Sequence, residues 1–386
     1  MNGVRSTDAD NYLMAALRIG ALLVLLSPAA ALSLATGRSV AAVRVARPRL
    51  AASIVATADH TAAPRIASAY TAAKVATLAT WSATSWIALS THPTLALPLR
   101  HNLLTIAQAL APLPLGWGVF SALSSAARAD GFKRLSSSTY RRLNLGAAAA
   151  SLWMAAAVTF APSFAVGYQM YTPPFALAAA LAHILVGAFC LGVWTHTVSG
   201  SPKPVSGHYV PRMVRGLVGS LFALIPKQDA DDPDEAAARS GRDLYALAAA
   251  LFAFFTVMPL VRAFPLATVP TILGKRLSRA AAGWTFLSAV VCYVLKDAAQ
   301  RGRLAASTFV TLRRTLAASS AIHLLVVAVK LIGVDAGGLI LPGRGLWDFY
   351  PAAMSRPLTS AASLLMHILA LFAALTPPAS DADKGA

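Results

Sequence analysis

The chain has 386 residues, of which 57% are hydrophobic and 12% charged, and its 33 Lys and Arg against 15 Asp and Glu leave a net charge of +18. A soluble domain of this size has too little interior to hide so much apolar surface. The positive charge sits in short gaps between apolar blocks rather than along one soluble face, which excludes a nucleic-acid-binding module. An all-α, polytopic membrane helix bundle with about 8–9 transmembrane helices is the class that remains.

Residues 1–11 read as a short luminal tail. Nine apolar blocks follow, near the length of about 20 residues that a helix needs to cross a bilayer: Tyr12–Ala35, Ile66–Ser90, Asn102–Ala126, Asn144–Val166, Phe175–Val198, Asp243–Phe264, Ala281–Lys296, Thr315–Gly333 and Leu358–Thr376. Asp8 and Asp10 and the length of the first block argue against a cleaved signal peptide. The second block is polar and contains Lys74, so an interfacial placement competes with a span. Gaps after the first, third, fifth and seventh blocks are rich in Lys and Arg, which places them on the cytoplasmic side. The cluster Lys275, Arg276 and Arg279 is the exception. Residues 12–376 thus form one transmembrane domain with a long cytoplasmic loop over 199–242, and 377–386 form a cytoplasmic tail. The acidic run from Asp229 to Glu235 in that loop reads as a solvated hinge in preference to a metal site. Cys190 and Cys292 lie inside spans and imply neither a disulfide nor zinc. No internal repeat, phosphate-binding loop or dinucleotide fingerprint is visible.

Function should therefore reside in polar groups at membrane depth. His183, His323 and His367 fall near the middles of spans. His196 shares a helix face with His183, about 20 Å away. A two-haem arrangement would need a second helix with a matching pair, and none is present. Acidic residues are scarce: fourteen Asp and one Glu. Asp243 opens the sixth block beside Arg242. Asp297 follows Lys296 at a helix end. Asp348 lies among Trp347, Phe349 and Tyr350, an apolar setting that would make it a usable acid, although such aromatics also collect at membrane interfaces. Tyr168, Tyr171 and Trp117 add aromatic surface. Aromatic faces around a dry cavity suit carbocation chemistry.

The segments Arg242-Asp243-Leu244-Tyr245 and Asp348-Phe349-Tyr350-Pro351-Ala352 resemble motifs in integral-membrane meroterpenoid terpene cyclases of fungal secondary metabolism, of the ascochlorin and ascofuranone type. The resemblance covers about the last 150 residues. It implies acid-initiated cyclisation of a prenyl or farnesyl chain on a lipophilic phenolic substrate, in the endoplasmic reticulum or another endomembrane, with no cofactor and no metal. The expected acids are Asp348, then Asp243. His367 and His323 are the expected proton acceptors. Trp347, Tyr350, Tyr245, Tyr168 and Tyr171 are the expected substrate-binding aromatics. The expected partners are the lipid bilayer and the lipophilic substrate, with no nucleic acid. A transporter, which would call for repeated halves, and a non-catalytic accessory subunit are the competing classes.

Overall fold

Ala- and Leu-rich blocks favour helix, and in the computed structural model every apolar block from the second onward is overlaid by one. The structure describes residues 48–90, 107, 109–159, 173–199, 233–257, 272–331 and 356–376, and all regular structure among them is helical. The helices are α1 (Pro48–Ser90), α2 (Leu113–Leu135), α3 (Ser138–Thr159), α4 (Pro173–Ser199), α5 (Pro233–Val257), α6 (Ile272–Ala299), α7 (Ser307–Leu331) and α8 (Arg356–Leu375). The first block, Tyr12–Ala35, and both tails lie outside the described residues. Among the described residues two helices are long and apolar enough to cross a membrane, over Leu177–Val198 in α4 and Ser307–Ala328 in α7.

Several helices run past the apolar blocks. The expected loop 199–242 is shorter, because α5 already starts at Pro233, a residue type suited to the first helical position. The third block ends at Ala126, yet α2 continues to a break at Asp130 and Gly131, where Gly131 takes a φ of 53°. That left-handed backbone favours glycine, and it kinks α2 before its last turn. Gly302, with a φ of 60°, takes a left-handed backbone between α6 and α7. The polar second block does not lie apart from the bundle. Thr71 and Ser124 join α1 to α2 through Ser124 Oγ donating to the Ala67 carbonyl at 3.0 Å. Lys74 Nζ rests 3.8 Å over the Trp117 ring, which supplies an electrostatic partner for its charge.

Neighbouring helices run antiparallel. Contacts pair 67 with 124 and 74 with 117 across α1 and α2, 141 with 197 across α3 and α4, and 313 with 374 across α7 and α8. The α2–α3 and α6–α7 turns, the start of α5 and the ends of α4 and α8 therefore share one end of the bundle. Arg142 and Arg301 both pair with Asp297 there, and Lys133, Arg134, Arg303, Arg313 and Arg314 lie at the same level. Lys275, Arg276 and Arg279 start α6 at the opposite end, so the segregation of positive charge is incomplete.

The packing order is a repeat that the sequence does not display. In the first half α1 packs on α2, α3 on α4, and α4 closes back on α1. In the second half α5 packs on α6, α7 on α8, and α8 closes back on α5. The halves meet through α2 against α7 and α3 against α6, contacts that exchange when the two halves are interchanged. Local detail follows the same rule. Thr139-Tyr140-Arg141-Arg142 lies in the first turn of α3 and Thr311-Leu312-Arg313-Arg314 in the second turn of α7. The first arginine of each pair donates to carbonyls at the C-terminal end of its own half's last helix, Arg141 to Thr197 and Arg313 to Ala374 and Thr376. Tyr70 on α1 and Tyr245 on α5 are both fully buried.

The two halves touch where side chains are smallest. A Cβ added at Gly118 would lie 2.1 Å from Thr315 Oγ1, and one at Gly146 would lie 2.9 Å from Val290 Cγ1. Close approach through small residues is how helices associate when lipid removes the hydrophobic drive. Gly118→Ala should therefore destabilise the protein by about 1–3 kcal/mol through overpacking. Gly192→Ala, whose added carbon meets nothing within 4 Å, should be neutral or slightly stabilising. Thermal midpoints in one detergent measure both. Equal midpoints would mean that α2 and α7 do not approach so closely.

Large apolar side chains point outward in stripes. On α4 these are Leu177, Leu181 and Leu185, exposed by 62%, 48% and 69%; on α8 they are Leu365, Ile368, Phe372 and Leu375. α4 and α8 hold equivalent positions in the two halves, and a water-facing surface of this kind would be costly.

Candidate functional site

The candidate proton acceptors come together. His323 on α7 and His367 on α8 are stacked, with ring centroids 3.9 Å apart and planes 23° from parallel. Sequence spacing separates them by 44 residues, and the antiparallel α7–α8 pair brings them level. Buried Ser320, one turn before His323 on the same face, places its hydroxyl 3.5 Å from His367 Nδ1. Phe252 of α5 meets the His367 ring edge-on at 5.3 Å. Met366 and Ala370, both buried, flank His367 along α8. His367 is seven residues, or about 10 Å, from the level at which Arg313 holds the end of α8. His323 is ten residues, or about 15 Å, from Arg313 itself.

Stacked imidazoles at this separation repel strongly if both are charged. The pair is thus suited to taking up and releasing one proton, with Ser320 able to orient a ring through its hydroxyl. Phe252 and the apolar flank limit water on one side.

Tyr245 lies two turns before Phe252 on the inward side of α5. It is completely buried, and its hydroxyl lies close to the Arg313 guanidinium, without a hydrogen bond of good geometry among the described residues. Tyr245 is seven residues, or about 10 Å, from Phe252 along α5, so Tyr245 and Arg313 stand nearer the charged end than the histidine pair does. Asp243 is elsewhere. It accepts a 2.8 Å bond from Arg242 Nε, half-exposed and ten residues into α5, near Lys296. Asp348, Trp347, Tyr350, Tyr168 and Tyr171 lie outside the described residues.

His183 and His196 remain apart from this site. His183 is fully buried on α4, and neither ring nitrogen has a hydrogen-bond partner among the described residues. His196 packs on Phe132 with centroids 3.9 Å apart. Among the described residues no three His, Cys, Asp or Glu side chains converge as metal ligands. Cys190 and Cys292 are buried free thiols on α4 and α6.

Ser320, Phe252 and Arg313 are the members of the site that sequence reasoning passed over. Ser320 carried a signal, since a hydroxyl three residues before a mid-span histidine shares its helix face. Phe252 carried one too, two turns from Tyr245. Arg313 looked like one more loop cation.

No protein-family model matches the chain, and no curated protein or solved structure matches it.

Proposed function

We propose that the chain is a multi-pass membrane protein of eight to nine spans that carries out acid–base chemistry on a lipophilic substrate, as a terpene cyclase of the meroterpenoid class. The stacked His323–His367 pair, half-buried between α7 and α8 beside Phe252, is the observation that carries this reading. The outward apolar stripes of α4 and α8 support the membrane placement. In the reaction a carboxylic acid, with Asp348 the leading candidate, protonates the terminal epoxide oxygen of a farnesyl chain and the carbon–oxygen bond breaks. Alkene π electrons close the ring, and the final carbocation loses a neighbouring proton to the imidazole pair. Atoms balance as an isomerisation, and no redox cofactor is consumed. Microsomes bearing the protein, supplied with an epoxyfarnesyl phenol, should yield an isomeric cyclic product. Unchanged substrate at full expression would remove the cyclase reading.

A second reading is favoured by a different observation. Repeated halves related by an axis along the membrane normal are a recurring plan of transporters, and an intramembrane histidine pair suits proton coupling. Proteoliposomes separate the two readings: a transporter would move the same compound across the bilayer without changing it.

Topology is testable independently of activity. Cysteines placed at Ser137 and Ala305 should react with a membrane-impermeant maleimide from one side, and a cysteine at Ala267, between α5 and α6, from the other. The antiparallel order and the basic end motivate this expectation. Labelling of all three from the same side would refute the alternating arrangement.

A further inference from the structure

At the basic end, where the α2–α3 and α6–α7 turns face each other, a cleft of about 330 Å³ opens. Its walls are matched: Lys133 and Arg134 come from the first turn, Arg301 and Arg303 from the second. Tyr140 and Thr308 tie its two sides together, with their hydroxyl oxygens 2.7 Å apart. The cleft also receives the starts of α3 and α7. First-turn N–H groups of a helix have no intrahelical acceptor, and they carry the positive end of the helix dipole. Neither α3 nor α7 places an acidic residue in its first turn to offset that charge.

The charge around the cleft is not balanced from within. Arg301 reaches Asp297 at 3.4 Å, a carboxylate that does not line the cleft, and Arg303 packs over the Phe309 ring. Lys133 and Arg134 are exposed and make no ion pair among the described residues. No acidic side chain lines the cleft. Four cations, several hydroxyls and two helix starts therefore converge on one hollow from opposite walls. A single carboxylate would answer only part of that field. A tetrahedral phosphate offers oxygens to both walls and to both helix starts at once. The volume falls within the range of small-molecule sites and exceeds what a bare phosphate fills.

We propose that this cleft is a binding site for a phosphate-bearing anion, held between Lys133 and Arg134 on one wall and Arg301 and Arg303 on the other. The phosphate belongs either to a lipid headgroup or to a soluble phosphate ester, and the chemistry of recognition is the same for both. The site is separate from the histidine pair, so it stands or falls independently of the cyclase reading.

The test uses the full chain in nanodiscs. One arm holds neutral phosphatidylcholine and is titrated with inorganic pyrophosphate. The other holds phosphatidylcholine with added phosphatidic acid, and bound lipid is counted by native mass spectrometry. Saturable binding of one anion per chain is expected in at least one arm. The double variant Lys133→Gln with Arg303→Gln should weaken it by about 100-fold, near tenfold for each charge-assisted contact removed. Arg134→Gln, at another exposed position, should weaken it by about tenfold. Arg128→Gln removes an exposed cation that does not line the cleft and should leave binding unchanged. Pyrophosphate binding in neutral discs assigns a soluble ligand. Phosphatidic acid retained while pyrophosphate is ignored assigns a headgroup. No saturable binding in either arm, or an equal loss in Arg128→Gln, overturns the site.

Discussion

His367→Phe is expected to lower turnover of an epoxyfarnesyl phenol by at least roughly 100-fold, the usual scale of a lost general base or acid. The protein should still accumulate in the membrane, because phenylalanine is close to imidazole in shape and His367 already packs as a ring against Phe252 and His323. His323→Phe should cost a similar factor. The double variant should cost little more than either single one, since groups that act as one unit do not contribute additively. Ser320→Ala removes only the hydroxyl 3.5 Å from His367 Nδ1 and should cost less. Asp348→Asn tests the acid separately. The decisive measurement is product per unit of membrane-inserted protein. Wild-type turnover by both single histidine variants would remove the pair from the chemistry.

The helices were readable because hydropathy alone marks them: each apolar block from Ile66–Ser90 to Leu358–Thr376 coincides with one of α1 to α8. Their ends were less readable. Hydropathy stops where charge begins, but α2 keeps its hydrogen bonds through Arg128 until Gly131 breaks it, and α5 starts among the charged residues after Pro233. Basic loops gave the shared end for the α2–α3 and α6–α7 turns, and Lys275 to Arg279 was the visible exception.

The duplicated packing was hidden for a physical reason. Bundles of this kind need only small residues at contacts and apolar residues outside, so the two halves can diverge almost completely. The pair Gly118 and Thr315 and the pair Gly146 and Val290 solve equivalent contacts with different residues. Only the Thr-x-Arg-Arg segments early in α3 and α7 keep a common trace, and four residues are too few to announce a repeat. The histidine site was half legible. Mid-span position singled out His323 and His367 as individuals, whereas their stacking depends on the register of α7 against α8, which no local pattern encodes. Asp243 stood out as a rare carboxyl opening an apolar block, but α5 starts ten residues earlier at Pro233, so Asp243 is held by its pairing with Arg242 and not by a helix start.

Arg313→Met is expected to destabilise the bundle by about 1.5–3 kcal/mol, the range for hydrogen bonds made by a charged group. Its guanidinium donates to the Ala374 carbonyl through Nε at 3.2 Å and Nη2 at 2.9 Å, and to Thr376 as well. Those carbonyls end α8 and have no intrahelical donor, and the positive charge also complements the negative end of the helix dipole. Methionine keeps most of the aliphatic stem, so the change removes the cap and leaves much of the packing. Arg141→Met should act in the same way on α4, where Arg141 donates to the Thr197 carbonyl. Its effect should be the smaller of the two, because one carbonyl is held instead of two. The two sites lie in different halves and share no partner, so the double variant should lose the sum of the single losses to within about 0.5 kcal/mol. Unfolding midpoints in one detergent, with Arg314→Met as an exposed neighbour that should change little, give the comparison. A loss at Arg313 without any at Arg141 would mean that the two halves do not share this cap. No loss at either would mean that water satisfies these helix ends as well as arginine does.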